Sequence, residues 1–73
     1  MVKKEMDCRG LKCPQPLLKV TIEATKMSPG DVLVVRADCH TFETDLRGWA
    51  QKMNKVIQEF RNEGTYKTAV IQF

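Results

Sequence analysis

Two prolines, Pro14 and Pro16, stand directly before an amphipathic segment and restrict where a helix can begin. Proline has no amide hydrogen, so a helix tolerates it in the first turn, where amides lack intrahelical partners. If Cys13 is the N-cap, the prolines take the first and third helical positions. Because Pro16 disfavours helical geometry at Gln15, the alternative is a helix that starts at Pro16 with Gln15 as its cap. Either register puts Cys13 within one turn of the helix N-terminus.

The residues after these prolines follow a helical period. Leu17, Val20 and Ala24 fall within one arc, with Lys19 opposite, which predicts an amphipathic helix over residues 14–27. The other predicted elements, in chain order, are a strand at 2–7, a turn at 28–31, a strand at 32–37, a helix at 42–53 and a hairpin with strands at 55–61 and 66–73.

Single residues mark the ends of these later elements. His40 or Thr41 would cap the second helix, and Asn54 would end it in the left-handed conformation. Gly64 supplies the turn of the hairpin. The order is therefore βαβαββ.

This order predicts an α/β fold of the α+β two-layer sandwich type. Right-handed crossovers place both helices on the same side of the sheet, so we expect a mixed four-stranded sheet with two helices packed on one face. The run "VLVVRA" at 32–37 has the continuous apolar character of a central strand.

The chain has 73 residues, which predicts one domain over 1–73. Its net charge of +3 is spread without a block of like charge and favours acidic partners only weakly. Its apolar runs are far shorter than the roughly 20 residues that cross a bilayer, and no leader precedes the first motif, so we expect a cytoplasmic protein. In that compartment the three cysteines are expected to stay reduced, which argues against a disulfide scaffold.

Cys13 is the residue of this pattern that suggests chemistry. A thiolate is the nucleophile in sulfur exchange, and a helix N-terminus favours the anion by about 0.3–1 kcal/mol when exposed and by about 2 kcal/mol when partly buried. The pKa of the thiol would then fall by less than about 1.5 units, which suits a group that first accepts a sulfur atom and then releases it. The alternative is that Cys13 is a small buried hydrophobic residue at a rigid helix start.

The stretch "DCRGLKCPQPLLK", residues 7–19, resembles the TusA/SirA-like sulfur-carrier family. That family is marked by Cys-Pro-x-Pro at the start of the first helix, preceded by Arg-Gly-Leu. The resemblance continues through "SPGDVLVVRAD", the Asp45 to Trp49 segment and the closing hairpin, so it spans nearly the whole chain. It implies a two-layer α/β sandwich with the βαβαββ order.

The resemblance also implies a function. Cys13 would be the catalytic residue and would carry sulfane sulfur as a persulfide, with Arg9, Gly10, Pro14 and Pro16 as the supporting motif. The implied partners are a sulfur donor protein, either a cysteine desulfurase or a rhodanese-like protein, or a thiosulfate source, and a downstream acceptor protein in a sulfur relay. The chain would be a sulfurtransferase-type carrier without a cofactor rather than a free-standing enzyme.

The pathway is left open among tRNA thiolation, cofactor sulfuration, sulfur oxidation and thiosulfate uptake. The Asp-Cys pair at 38–39 is similar to that of family members linked to thiosulfate uptake, for which a membrane transporter would be a partner.

Cys39 is the second thiol of interest, because it follows the predicted central strand. If the first and central strands are parallel, their carboxyl ends meet at one edge, and Cys39 lies near Cys13. It could then resolve a persulfide or form a disulfide with Cys13; the alternative is a half-buried thiol at a strand end. Cys8 is expected to be packed and is assigned no chemistry.

Arg9 and Trp49 each have a functional and a structural interpretation. The guanidinium of Arg9 could lie near the thiolate, or it could form an ion pair with Asp7, Asp38 or Asp45. Trp49, at helical spacing from other apolar residues, is expected in the core.

Two other functions stay open, namely a small regulatory or RNA-binding α/β module and a dithiol redox protein that uses Cys13 and Cys39. Stable nucleic-acid binding is not expected, because the charge is modest and the five aromatic residues are not interleaved with basic ones. The chain also lacks the C-x-x-C spacing of dithiol redox proteins. No metal site is predicted from Cys8, Cys13, Cys39 and His40. A structural zinc site needs a second pair of spaced ligands, and the adjacent Cys39 and His40 project differently. We expect a monomer, since no helix or strand leaves an obvious apolar stripe exposed.

Overall fold

A computed structural model describes residues 2–73 as four strands and two helices. In chain order the elements are β1 (Lys3–Asp7), α1 (Gln15–Ala24), β2 (Val32–Ala37), α2 (Phe42–Met53), β3 (Val56–Asn62) and β4 (Lys67–Gln72). The predicted βαβαββ order and the α+β fold class are confirmed.

The four strands form one mixed sheet in the order β1-β2-β4-β3. β1 runs parallel to β2, with Asp7 opposite Arg36 at the carboxyl ends. β4 is antiparallel to both β2 and β3. β2 therefore lies inside the sheet, as its apolar sequence predicts.

The core lies between this sheet and the two helices. Alternate residues of β2 are fully buried, and each helix contributes to the same apolar cluster, whose members include Val20, Leu33, Val35, Phe42 and Leu46. Because both helices bury residues in one cluster against the same side of β2, they pack on the same face of the sheet.

The start of α1 differs from both predicted registers. Pro14 is the N-cap residue, Gln15 is the first helical residue and Pro16 the second. The Pro14 carbonyl accepts the amide of Leu18 at 3.1 Å, while the amide of Gln15 donates to a loop carbonyl, that of Lys12, at 2.8 Å. The first turn of a helix needs no amide hydrogen at either proline position, so both prolines fit the start of this helix.

The end of α1 also differs, because the helix stops at Ala24 instead of Met27. The amides of Thr25, Lys26 and Met27 each donate to the carbonyl three residues earlier, which is tighter than an α-helix. α2 has the predicted bounds, with Thr41 as N-cap residue and Asn54 left-handed at φ 56°.

Helix α1 carries an exposed apolar pair, so the prediction that no helix leaves such a stripe is wrong. Leu18 and Ile22 lie one turn apart and are 54% and 56% exposed. The buried residues of the helix are Pro16 and Val20, so the apolar arc is wider than the surface that the sheet and α2 cover.

Within residues 2–73, neither helix combines the length and the apolar character that a bilayer crossing requires.

The contrast between buried and exposed leucines gives a test of this core. Leu46→Ala removes a fully buried side chain and should lower the free energy of unfolding by about 3 kcal/mol. Leu18→Ala, the matched control, removes a largely exposed one and should cost less than about 1 kcal/mol. Urea unfolding of both variants in the same redox state measures the difference, and equal costs would contradict this packing.

Candidate functional site

The parallel pairing of β1 and β2 brings two loops to one edge of the sheet. Residues 8–14 lead from β1 to α1, and residues 38–41 lead from β2 to α2. Residues 10–13 and 38–40 line a shared open cavity of about 480 Å³. This edge holds Cys13 and Cys39, as the sequence analysis predicts for parallel strands.

Asp38 ties the two loops together. Both oxygens of its carboxylate accept the amide hydrogen of Gly10, at 3.1 and 3.0 Å. Gly10 has φ 86°, and a β-carbon there would meet no atom within 4 Å. The position therefore calls for glycine because of its backbone conformation rather than for lack of space.

Arg9 binds Asp7, one of the three carboxylates that the sequence analysis considered. Its Nε and Nη2 donate to the two oxygens of Asp7 at 2.9 and 2.8 Å, and its backbone amide donates to Oδ1 at 3.0 Å. The side-chain bond from Arg9 is the main reason why the pKa of Asp7 falls from 3.8 to about 2. The guanidinium also lies 5.0 Å from the ring centre of Tyr66, so Arg9 connects the loop to the hairpin.

Cys13 and Cys39 are joined by a disulfide, with their Cα atoms 5.6 Å apart. This separation lies within the usual range for disulfides. Cys39 is buried at 7% exposure, and Cys13 is half-buried. The expectation that all three cysteines stay reduced does not hold for this pair in the structure, because the parallel strands bring the two sulfur atoms within bonding reach, which the argument from the compartment did not consider.

Cys8 is the remaining cysteine, and it is a free thiol with 1% exposure. Burial raises its pKa, and the nearby negative charge of Asp7 acts in the same direction. The thiolate is therefore disfavoured, which fits the packed role predicted for Cys8.

Thr41 is a site residue that the sequence analysis treated only as a helix cap. Its hydroxyl oxygen lies 3.4 Å from Sγ of Cys39, and the hydroxyl donates to Oδ2 of Asp45 at 3.0 Å. The four-residue spacing of Thr41 and Asp45 is the sequence signal for this bond, since such residues face each other on a helix. The contact with Cys39 depends on the fold of the loop.

The other predicted residues take surrounding positions. Lys12 and His40 line the cavity, and the exposed Pro14 is the N-cap residue of α1. Trp49 is partly buried beside the core, with its ring centre 6.3 Å from that of Phe73. Among the residues that the structure describes, no group of three His, Cys, Asp or Glu side chains is arranged to hold a metal ion.

The family model described as "Sulfurtransferase TusA" matches residues 4–72. The chain belongs to the TusA family. This agrees with the resemblance carried by the Cys-Pro-x-Pro segment.

Several curated relatives of this TusA-family chain bear the name "Putative sulfur carrier protein". One from Neisseria meningitidis serogroup A is 29% identical over 99% of this chain and 97% of its own length. One from Archaeoglobus fulgidus is 28% identical over 78% of this chain and 74% of its own length. A third, from Aquifex aeolicus, is 29% identical over 94% of this chain, which spans only 35% of that longer relative.

The thiol inventory gives a direct test of the site. Purified without reductant and then denatured, the chain should show one reactive thiol, that of Cys8, and three after reduction. Titration with a chromogenic disulfide reagent measures both numbers. Peptide mapping should join Cys13 to Cys39, and a bridge that includes Cys8 would contradict the structure.

The Arg9–Asp7 pair predicts a pH dependence. Since the pKa of Asp7 is lowered to about 2 in the folded chain, its contribution to stability is present above its ordinary pKa of 3.8 and is lost as pH falls toward 2. Asp7→Asn should therefore lose less stability than the unmodified chain between about pH 5 and about pH 2. Thermal unfolding across this range measures the effect.

The exposed loop residue Glu63 offers the control, as Glu63→Gln also removes one carboxylate. Asp31 and Glu23 also have lowered pKa values, through backbone amides and through Lys4 respectively, so some acid sensitivity should remain in every variant. Identical acid profiles for Asp7→Asn and the unmodified chain would exclude a role for this pair in acid stability.

Proposed function

We propose that this chain is a sulfur carrier that accepts sulfane sulfur on Cys13 and passes it to an acceptor protein. The proposal rests above all on the position of Cys13, which is half-buried beside an open cavity and directly precedes Pro14, the N-cap residue of α1. Membership of the TusA family and the names of its relatives support it.

The surroundings of Cys13 suit repeated sulfur exchange. The following Pro14 and the Gly10–Asp38 bond restrain the loop on both sides of Cys13. The N-terminal end of α1 and the nearby ammonium of Lys12 favour negative charge on a thiolate or persulfide. A donor protein would therefore meet a sulfur atom held at a defined place.

Loading is a thiol exchange. The Cys13 thiolate attacks the outer sulfur of a donor persulfide, so that a bond forms between Cys13 Sγ and that sulfur while the donor cysteine leaves as a thiolate. With thiosulfate as the source, the leaving group is sulfite. The acceptor takes the sulfur by a second attack of the same kind.

The disulfide sets a condition on this cycle. Cys13 cannot accept sulfur while it is bonded to Cys39, so a dithiol reductant must first open the bridge. Disulfides in the cytoplasm are usually transient and belong to catalysis or redox sensing. We propose that the exchange takes place in the cytoplasm, with a cysteine desulfurase, a rhodanese-like protein or thiosulfate as donor and an acceptor protein or membrane transporter downstream.

The disulfide also favours a second candidate, a dithiol redox protein that exchanges the Cys13–Cys39 bridge with a partner. Such a protein would cycle between dithiol and disulfide without ever holding an added sulfur atom. The two functions therefore differ in the mass of the chain after exposure to a sulfur donor.

The RNA-binding alternative gains less support. Phe42 is buried and lies against Phe60, with their ring centres 5.9 Å apart, and Trp49 lies against Phe73. Aromatic rings packed in this way offer little surface for stacking on bases.

Sulfur loading is tested by intact mass. After reduction and removal of the reductant, the chain is incubated with a cysteine desulfurase and cysteine, or with thiosulfate. Cys39→Ser, in which the bridge cannot form, should gain one sulfur atom, and a Cys13→Ser/Cys39→Ser double variant should gain none. A Cys8→Ala/Cys39→Ser variant, which keeps Cys13, should load like Cys39→Ser. Absence of added sulfur on Cys39→Ser with every donor would refute the carrier function.

A further inference from the structure

The backbone places Cys39 within bonding reach of Cys13. The Cα atoms are 5.6 Å apart, and Gly10, Asp38 and the two strands hold the loops that carry the cysteines. The amide of Phe42 donates to the carbonyl of Cys39 at 3.1 Å, which fixes the other side of this residue. These contacts do not involve either sulfur atom, so a reduced or sulfur-loaded chain keeps the two thiols close together.

Cys39 also has a route for its proton. On a reduced Cys39, the thiol can donate to the hydroxyl oxygen of Thr41, which lies 3.4 Å from Sγ. That hydroxyl already donates to the Asp45 carboxylate at 3.0 Å. The proton of Cys39 can therefore move toward Asp45 through Thr41, which leaves a thiolate facing Cys13.

We infer that Cys39 is a resolving thiol, which discharges the sulfur held on Cys13 as hydrosulfide. This inference rests on the proposed function, because it requires a persulfide on Cys13. It adds an activity to the carrier: with a dithiol reductant, the chain converts sulfane sulfur to sulfide when no acceptor takes it first.

The step balances without an external oxidant. The Cys39 thiolate attacks the inner sulfur of the persulfide, Cys13 Sγ, and forms the same bond that the structure contains. The bond between Cys13 Sγ and the outer sulfur breaks, and the outer sulfur leaves as hydrosulfide with the electron pair. The outer sulfur is reduced by two electrons, and the two cysteines are oxidised by the same number. A dithiol reductant then restores both thiols.

The open cavity offers room for the leaving sulfur. An attack on the inner sulfur needs the outer sulfur to point away from Cys39. The cavity of about 480 Å³ is lined by both cysteines and extends past Cys13 to residues 10–12. Lys12 lines this cavity, and its ammonium favours the charge of the departing hydrosulfide. Attack on the outer sulfur would instead move the persulfide to Cys39, which is only 7% exposed and poorly placed to meet a partner protein.

The experiment uses the full chain, reduced, freed of reductant under anaerobic conditions and loaded with glutathione persulfide. After rapid desalting, intact mass and released sulfide are followed over time. The unmodified chain should lose the added sulfur, release one sulfide per chain and end two hydrogens lighter than its reduced form. Cys8→Ala, which keeps both active thiols, should behave in the same way.

The variants at Cys39 separate this inference from the carrier function. Cys39→Ser should keep its added sulfur and release no sulfide, and Cys39→Ala provides a second variant should the first fail to fold. If the unmodified chain holds its sulfur as long as Cys39→Ser does, the resolving role is wrong and the carrier role survives. If neither chain gains sulfur, both proposals are wrong.

Two further measurements define the mechanism. The discharge rate should not change when the protein is diluted, because the attack occurs within one chain; a rate that falls with dilution would contradict it. Thr41→Val should slow the discharge about tenfold near neutral pH, and the difference should shrink as pH rises and the Cys39 thiol ionises without help. If the discharge rate of Thr41→Val were lowered equally at every pH, Thr41 would have only a structural role and the proton route would be wrong.

Discussion

β1 and β2 run side by side in the same direction, so the chain leaves both strands at one edge of the sheet. An antiparallel pairing would send the two following loops to opposite ends of the molecule. Cys13 and Cys39, which are 26 residues apart in sequence, come together only because of this pairing. The cavity, the loop contacts and the proton route from Cys39 all depend on it.

Contacts that involve charged side chains hold the two short loops at this edge in place. Asp38 binds the Gly10 amide, and Arg9 links Asp7 to the hairpin through Tyr66. These groups are exposed, so each contributes little to stability by itself. Their value is geometric, since they limit the positions that the loop around Cys13 can take. The Arg-Gly pair before the Cys-Pro motif therefore restrains this loop through contacts with Asp7 and Asp38.

Periodicity and turn chemistry predict most of the fold from the sequence. α2 has the predicted bounds because its apolar spacing is regular and Asn54 provides a left-handed end. α1 is harder to place because two prolines are compatible with several starts, and the loop contacts select the one in which Pro14 is the cap. Helical spacing also cannot show how much of an apolar arc a neighbouring sheet covers, so the exposure of Leu18 and Ile22 emerges only from the packing.

Some features of the candidate site can also be predicted from the sequence, and others depend on the folded structure. Cys13 is recognisable from the sequence, and the approach of Cys39 follows once β1 and β2 are taken as parallel. The proximity of Thr41 to Cys39 depends on the path of a short loop, which no spacing rule describes. The redox state of the pair depends on which electron donors and acceptors surround the chain, and the amino-acid sequence does not contain this information.

The bridged and the open forms of the Cys13–Cys39 pair differ in their stability against unfolding. Closing a loop of 26 residues restricts the unfolded chain and contributes about 3–4 kcal/mol in the chain-entropy description. For a chain of 73 residues this is a large part of the total stability. The bridged protein is therefore the form best able to survive heat and proteolysis, whereas the open form has the smaller reserve of stability and would gain most from being held by a partner.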